Sequence, residues 1–155
     1  MEATGRVIPG ALTLVDIHGQ RHTLQRMGQG RHRLLLWLPR PSPATLPPWL
    51  MALEQSAPEL LQREAQALVL VPLEGLASVA VSMGGMPWPV YGLPPQERER
   101  LQAALGRPLP DVEPVLLVVD RYGELFAALD ADAEPGALLA QALSWLDFIG
   151  LQCPE

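Results

Sequence analysis

The stretch that decides the fold is LLLWLPRPSPATLPPWLMALEQ, residues 34–55. Its first five residues are all apolar, which is typical of a strand buried on both faces of a sheet. A proline-rich segment follows at residues 39–48, and we call it the corner. From Thr45 onward, apolar residues recur at the three-to-four spacing of an amphipathic helix, at Leu46, Trp49, Leu50 and Leu53. The stretch therefore predicts a buried strand that leads into a helix through the corner.

The residues before this stretch predict a β-hairpin. Its two strands are Ala11–Val15 and Arg21–Leu24, and both are short apolar-polar runs. The turn between them centres on His18 and Gly19, where the glycine supplies a positive φ. The chain therefore begins with antiparallel strands before it reaches the buried strand.

The residues after the corner alternate between helices and strands. The segment at 56–65 can either restart the first helix or continue it. The later patterns predict a buried strand at 67–73, a short helix at 74–85, an extended piece at 86–92, a helix at 94–106, a hairpin at 115–129 and an amphipathic helix at 134–150. The inward face of the last helix comprises Leu138, Leu139, Ala142, Leu143, Leu146 and Ile149.

This order of elements predicts the fold class. A buried strand, a helix and a second buried strand imply a parallel pair with a right-handed crossover. The terminal hairpin adds antiparallel strands, so the sheet is mixed. We expect an α/β three-layer sandwich with a mixed central sheet flanked by helices and an N-terminal β-hairpin. The 155 residues suffice for one domain, residues 1–155.

Composition excludes several function classes. The net charge is −6 and no basic stripe is present, which disfavours nucleic-acid binding. No apolar run approaches the roughly 20 residues of a membrane helix, and the N-terminus lacks the pattern of a signal peptide. We therefore expect a cytoplasmic protein with no membrane association. All 11 basic residues are arginine and 17 residues are proline, which fits a thermophile or a GC-rich genome.

Four phrases carry a family resemblance. They are LTLVDIHGQRHTL at 12–24, RLLLWLP at 33–39 with its corner, the segment at 86–106, and EPVLLVVDRYGEL at 113–125. In this order they resemble the thioredoxin-like superfamily, and within it the peroxiredoxins of the alkyl hydroperoxide reductase and thiol-specific antioxidant type, together with bacterial thiol-disulfide oxidoreductases. The resemblance covers roughly residues 7–149 and implies the thioredoxin-like version of the three-layer sandwich.

The resemblance also implies where an active site would lie, and the sequence departs from it there. A peroxiredoxin site has proline, then a hydroxyl residue four positions on, then cysteine three positions further. Pro41 and Thr45 match this pattern, but Pro48 stands where the cysteine would be. No cysteine pair is present at the corner, and Glu113 replaces the arginine expected before the penultimate strand. We therefore expect no catalytic residues and a degenerate active-site corner comprising Pro41, Ser42, Ala44, Thr45 and Pro48.

Two further residues gain a meaning from the resemblance. Pro114 matches the proline that precedes the penultimate strand in thioredoxin-like oxidoreductases, so we predict a cis Glu113-Pro114 bond. Cys153 is the only cysteine, so it cannot form a disulfide within the chain. It is either a tail residue, which we favour, or a resolving thiol that needs a partner's cysteine.

Histidines and aromatic residues offer other candidate sites. His18, His22 and His32 lie close in sequence, but they lack an obvious set of carboxylate partners, so we expect no metal and no cofactor. In the resembled fold, several large side chains could line a binding surface beside the corner, with ordinary core packing as the alternative: Trp49, Trp88, Met86 and Tyr91. Residues 97–100, ERER, are predicted to be a solvated helix face.

These observations favour a redox-inactive thioredoxin-like or peroxiredoxin-like protein that acts as a binding or scaffold domain. The corner would meet a protein partner or a small ligand, and a homodimer is a further possibility. The alternative is an antioxidant-type oxidoreductase with a non-standard site or a partner's thiol. The dense prolines predict a rigid corner, with Pro47 and Pro48 in the first turn of the helix.

Overall fold

The computed structural model describes residues 4–27, 30–82, 89–131 and 134–152, which form a mixed sheet of eight strands. The strands are β1 (Arg6–Val7), β2 (Thr13–Val15), β3 (Arg21–Thr23), β4 (His32–Trp37), β5 (Ala65–Pro72), β6 (Val90–Leu93), β7 (Val115–Val119) and β8 (Glu124–Asp130). Their order across the sheet is β1-β8-β7-β4-β5-β6-β2-β3. Strand β4, which leads into the corner, therefore lies at the centre.

Four α-helices lie within these described ranges. They are α1 (Leu46–Gln62), α2 (Leu76–Ser82), α3 (Pro95–Leu105) and α4 (Pro135–Gln152), and a short 3-10 helix (Leu73–Gly75) leads into α2. Helix α1 runs through Pro58 without a break, so the segment at 56–65 continues the first helix. None of the helices that are described is long and apolar enough to cross a membrane.

Strand pairing confirms the predicted mixed sheet. Strand β4 pairs in parallel with β5, and β5 pairs in parallel with β6. On its other side, β4 pairs antiparallel with β7, which pairs antiparallel with β8. The N-terminal hairpin of β2 and β3 joins the sheet through β6.

The two faces of the sheet bury separate hydrophobic cores, because successive side chains of a strand point to opposite faces. In β4, Leu34 and Leu36 belong to the core covered by α1 and α4. Leu35 and Trp37 belong to the core covered by α3 and the N-terminal segments. The predicted α/β three-layer sandwich is confirmed.

The two hairpins share one turn design. In the first, Asp16 Oδ1 accepts the backbone N–H groups of residues 18 and 20, while the Gly19 N–H donates to the Asp16 carbonyl. In the second, Asp120 Oδ1 accepts the N–H groups of residues 122 and 124, and the Gly123 N–H donates to the Asp120 carbonyl. Both glycines have the positive φ that this turn requires, 81° and 91°.

The prediction of a cis bond before Pro114 is wrong. All peptide bonds of the described residues are trans, including the one between Glu113 and Pro114. The trans form is the default for an X–Pro bond, and here the Pro114 carbonyl accepts the Ala131 N–H at 3.2 Å as β7 begins. The family resemblance alone favoured the cis form, and residues 113–125 can join the sheet without it.

Candidate functional site

The corner is closed by a reciprocal hydrogen-bond pair between Ser42 and Thr45. The Thr45 hydroxyl accepts the Ser42 N–H at 3.0 Å, and the Ser42 hydroxyl accepts the Thr45 N–H at 3.1 Å. The Ser42 carbonyl accepts the Leu46 N–H at 2.9 Å, which is the first helical bond of α1. These bonds close a turn at residues 42–45 directly before α1, whose N-cap residue, Thr45, makes no side-chain capping bond.

The same hydrogen bonds occupy both hydroxyl groups. The Thr45 hydroxyl donates to the Arg40 carbonyl at 3.2 Å, and it lies 3.0 Å from the Ser42 hydroxyl. The Ser42 oxygen also accepts the Ala44 N–H at 3.3 Å. A nucleophilic hydroxyl needs an adjacent general base, whereas the described partners of these two hydroxyls are backbone groups and each other. The two hydroxyls therefore hold the turn before α1, and their described contacts provide no activated nucleophile.

Helix α1 starts with prolines in its first turn, as predicted. Pro47 and Pro48 lie there, directly after Leu46, where the missing N–H groups would have no helical acceptor. Both proline rings are exposed, whereas Leu46 is buried beneath them. The position at which the resemblance places a cysteine is thus occupied by the exposed ring of Pro48 in the first turn of α1.

A polar network ties the corner to the loop before β7. The Trp37 indole, at the end of β4, donates from Nε1 to the Pro110 carbonyl at 2.8 Å. The Arg98 guanidinium lies 4.9 Å from the centroid of the Trp37 ring and donates to Asp111 Oδ1 at 2.9 Å. Arg40, within the corner, donates to the Asp111 carbonyl at 3.1 Å. These bonds fix the corner relative to the loop at residues 109–111.

Part of this network contradicts the predicted solvated face at residues 97–100. Arg98 packs on Trp37, and Glu97 accepts the Thr13 N–H at 3.1 Å with only 14% of its side chain exposed. Sequence reasoning missed both residues because their partners lie far away in the chain. The available signal was the tryptophan in a buried strand, whose indole N–H needs an acceptor.

No protein-family model matches this sequence, and no curated protein does. Solved structures do match. Peroxiredoxin Q from Xanthomonas campestris has a TM-score of 0.69 at 16% identity, covering 96% of this chain and 99% of that one. Peroxidoxin BcpB from Mycobacterium tuberculosis has a TM-score of 0.63 at 17% identity, covering 93% and 97%. BsSco, of the Sco family of cytochrome c oxidase assembly proteins, has a TM-score of 0.69 at 9% identity, covering 96% and 97%.

The chain has a thioredoxin-like fold. The predicted fold and the predicted resemblance are confirmed at this level. In this thioredoxin-like chain, the corner follows the central strand β4 and begins helix α1, so the residues of the degenerate site do lie together there.

Trp49 and Tyr91 do not form the predicted surface beside the corner together. Trp49 is only 6% exposed and packs into the core under α1. Tyr91 packs against the core on the opposite face of the sheet, so the two rings cannot share a surface. The helical period places Trp49 inward, and the sequence alone did not show which face of the sheet Tyr91 joins. Met86 and Trp88 lie outside the described residues.

The histidines do not form a metal site. In the part of the chain that the structure describes, no group of three or more His, Cys, Asp or Glu residues could hold a metal ion. His22 lies 2.7 Å from Asp16 Oδ2 and packs edge-on against Tyr91. The hydrogen bond from His22 lowers the pKa of Asp16, and burial raises the pKa of Tyr91. His32 is buried at the far end of β4, and Cys153 lies outside the described residues.

Proposed function

We propose that the chain is a cytoplasmic, redox-inactive thioredoxin-like protein whose corner binds a protein partner. The observation that carries the proposal is the state of the corner, where hydrogen bonds engage the Ser42 and Thr45 hydroxyls and Pro48 occupies the cysteine position. A thiol peroxidase needs a thiolate at this position, and the sequence supplies none there.

The surface of the corner supports a binding role. Five residues of the corner are exposed, and the hydrogen bonds between Ser42 and Thr45 hold the backbone of this turn: Pro43, Ala44, Thr45, Pro47 and Pro48. A rigid surface loses little conformational entropy when it binds, so more of the contact energy appears as affinity. Small and ring-shaped side chains also leave the backbone accessible. A protein segment that packs on the prolines fits this surface.

The redox part of the proposal predicts no thioredoxin-dependent consumption of hydrogen peroxide by the purified protein. The reason is that neither hydroxyl at the corner has a base and Pro48 has no nucleophilic atom. The assay supplies thioredoxin, its reductase and NADPH and follows NADPH oxidation, with Cys153→Ser as the matched control. Turnover that survives Cys153→Ser would overturn the proposal. Turnover that appears only when a thiol protein other than thioredoxin is added would instead support the alternative, an antioxidant-type enzyme that uses a partner's thiol.

The binding part predicts that a photo-crosslinking amino acid at Ala44 captures one defined protein in cells. Leu61 provides the matched control, because it is 69% exposed near the other end of the same helix α1. We expect a discrete adduct from position 44 that is absent from position 61. An adduct of twice the chain mass identifies a second copy of this chain as the partner. The same adducts from both positions, or none from position 44, would contradict a binding role for the corner.

A further inference from the structure

A second candidate site lies at the opposite end of β4 from the corner. There a cavity of about 360 Å³ opens between the N-terminal segment, the loop before β4 and the β7–β8 turn. The described residues that line it include two arginines and no carboxylate: Val7, Ile8, Pro9, Gly10, Leu24, Gln25, Gly30, Arg33, Arg121, Tyr122 and Gly123. This volume falls within the range of small-molecule sites.

Arg33 is the more deeply placed of the two arginines. It is only 5% exposed, although a guanidinium is costly to bury without a charged partner. Its Nε and Nη2 donate to one neutral acceptor, the Met27 carbonyl, at 3.2 and 3.1 Å. No described carboxylate forms a salt bridge with Arg33, and burial lowers its pKa while the charge of Asp120 opposes that change. Arg33 therefore holds a buried positive charge that lacks a direct anion.

One donor of Arg121 lacks an acceptor among the described residues. Its Nε is buried without a hydrogen-bond partner among the described residues. Its Nη2 donates to Glu64 Oε2 at 3.2 Å and lies 3.3 Å from His32 Nε2. The His32 contact does not satisfy it, because His32 Nδ1 accepts the Arg121 backbone N–H at 3.0 Å and the neutral ring then carries its proton on Nε2. Burial and the Arg121 charge lower the pKa of His32, which favours this neutral ring.

We propose that this cavity binds a small organic anion, whose carboxylate or phosphate group lies between Arg33 and Arg121. An oxyanion would supply a direct negative charge to Arg33 and an acceptor to the guanidinium of Arg121, whose Nε has none among the described residues, and arginine favours such groups through paired hydrogen bonds. The apolar wall formed by Val7, Ile8 and Leu24 would contact the body of the ligand. The nearest acids are engaged elsewhere, since Asp120 Oδ1 accepts two backbone N–H groups. The site does not depend on the function of the corner.

The test is a titration followed by ¹H–¹⁵N spectra at constant ionic strength. The probes are phenyl phosphate, benzoate, inorganic phosphate and the neutral benzamide. We expect saturable binding of phenyl phosphate or benzoate, with shifts centred on the amides of Gly10 and Gly123, and no binding of benzamide. Whichever of the two aromatic anions binds more tightly identifies the head group.

Two variants make the test specific. Arg121→Gln removes one guanidinium and should weaken anion binding roughly 10-fold or more, since a charge-assisted hydrogen bond contributes about 1.5–3 kcal/mol. Arg31→Gln is the matched control, because Arg31 is exposed and lines a different groove beside α1, and its affinity should equal that of the parent. Equal weakening by both variants, or shifts spread over the whole surface, would overturn the site. If inorganic phosphate binds and neither aromatic anion does, the proposal that the ligand is an organic anion is wrong.

Discussion

Replacing Trp37 with alanine is expected to lower the free energy of unfolding by about 3–5 kcal/mol, the usual loss for a large aromatic residue removed from a core. Trp37 is fully buried at the end of the central strand. Its ring contacts the Arg98 guanidinium on one side, and its N–H holds the Pro110 carbonyl. The alanine variant therefore loses packing, a cation–π contact and a hydrogen bond together.

Trp37→Phe separates these contributions. Phenylalanine keeps most of the apolar volume but leaves the Pro110 carbonyl without its donor, so we expect a loss of about 1–3 kcal/mol. The matched control is Trp145→Phe in α4, where the ring is only partly buried and contacts Phe148. Urea unfolding is followed by far-ultraviolet circular dichroism, because fluorescence changes with each tryptophan. A Trp37→Ala loss no larger than that of Trp145→Phe would show that the network beside the corner adds little stability.

Much of the fold can be predicted from the spacing of apolar residues along the sequence. The uninterrupted apolar run of β4 predicts its central place, because only a strand covered on both faces can bury every side chain. The prolines at 47 and 48 mark a helix start for a local reason, since the first turn has no use for their missing N–H groups. The order of the elements then follows from connection rules for parallel strands.

The details of the two sites depend on contacts between residues far apart in the chain, which the sequence pattern does not predict. The Trp37 indole meets a carbonyl 73 residues away, and nothing local indicates Pro110 as the acceptor. Trp49 was expected at a surface because it adjoins the corner, yet its place on the buried face of α1 sends it inward. Arg33 directly precedes the apolar run of β4, which was the available signal for a buried charge. Its neighbour Arg121 enters only when β7 pairs with β4.

The hydrogen bonds within the corner show the same difference between local contacts, which sequence can predict, and a functional role, which it cannot. Ser42 and Thr45 were recognised as residues of a degenerate active site, and the structure brings them together. Their separation of three residues lets each hydroxyl accept the backbone N–H of the other residue, and this local contact explains the observed bonds without any catalytic role. The rigidity of the corner stays a prediction, supported by its prolines and by these bonds.

Replacing Asp120 with alanine is expected to cost about 2–6 kcal/mol, because two backbone N–H groups lose their acceptor and each costs about 1–3 kcal/mol when it is left unsatisfied. Asp120 is 5% exposed, and its Oδ1 accepts the N–H groups of Tyr122 and Glu124. Its charge also opposes the fall in the pKa of buried Arg33 without a direct contact, so the alanine variant removes this longer-range contribution as well. Asp16→Ala is the matched variant, since Asp16 makes the same turn at an edge hairpin with more solvent access.

The three variants Asp120→Ala, Asp120→Asn and Asp16→Ala divide the effect of Asp120 into turn and charge. Asparagine keeps the side-chain oxygen that accepts the two N–H groups but removes the charge that acts on Arg33. The free energy of unfolding of Asp120→Asn, measured with urea, should therefore lie between those of Asp120→Ala and the parent. Asp16→Ala should cost less than Asp120→Ala, because water can replace the lost acceptor near the surface. If Asp120→Ala and Asp16→Ala cost the same, the turn bonds alone carry the stability. In that case the charge of Asp120 does not stabilise Arg33. The hydrogen bonds to the Met27 carbonyl would then be sufficient to keep the guanidinium buried in the central sheet.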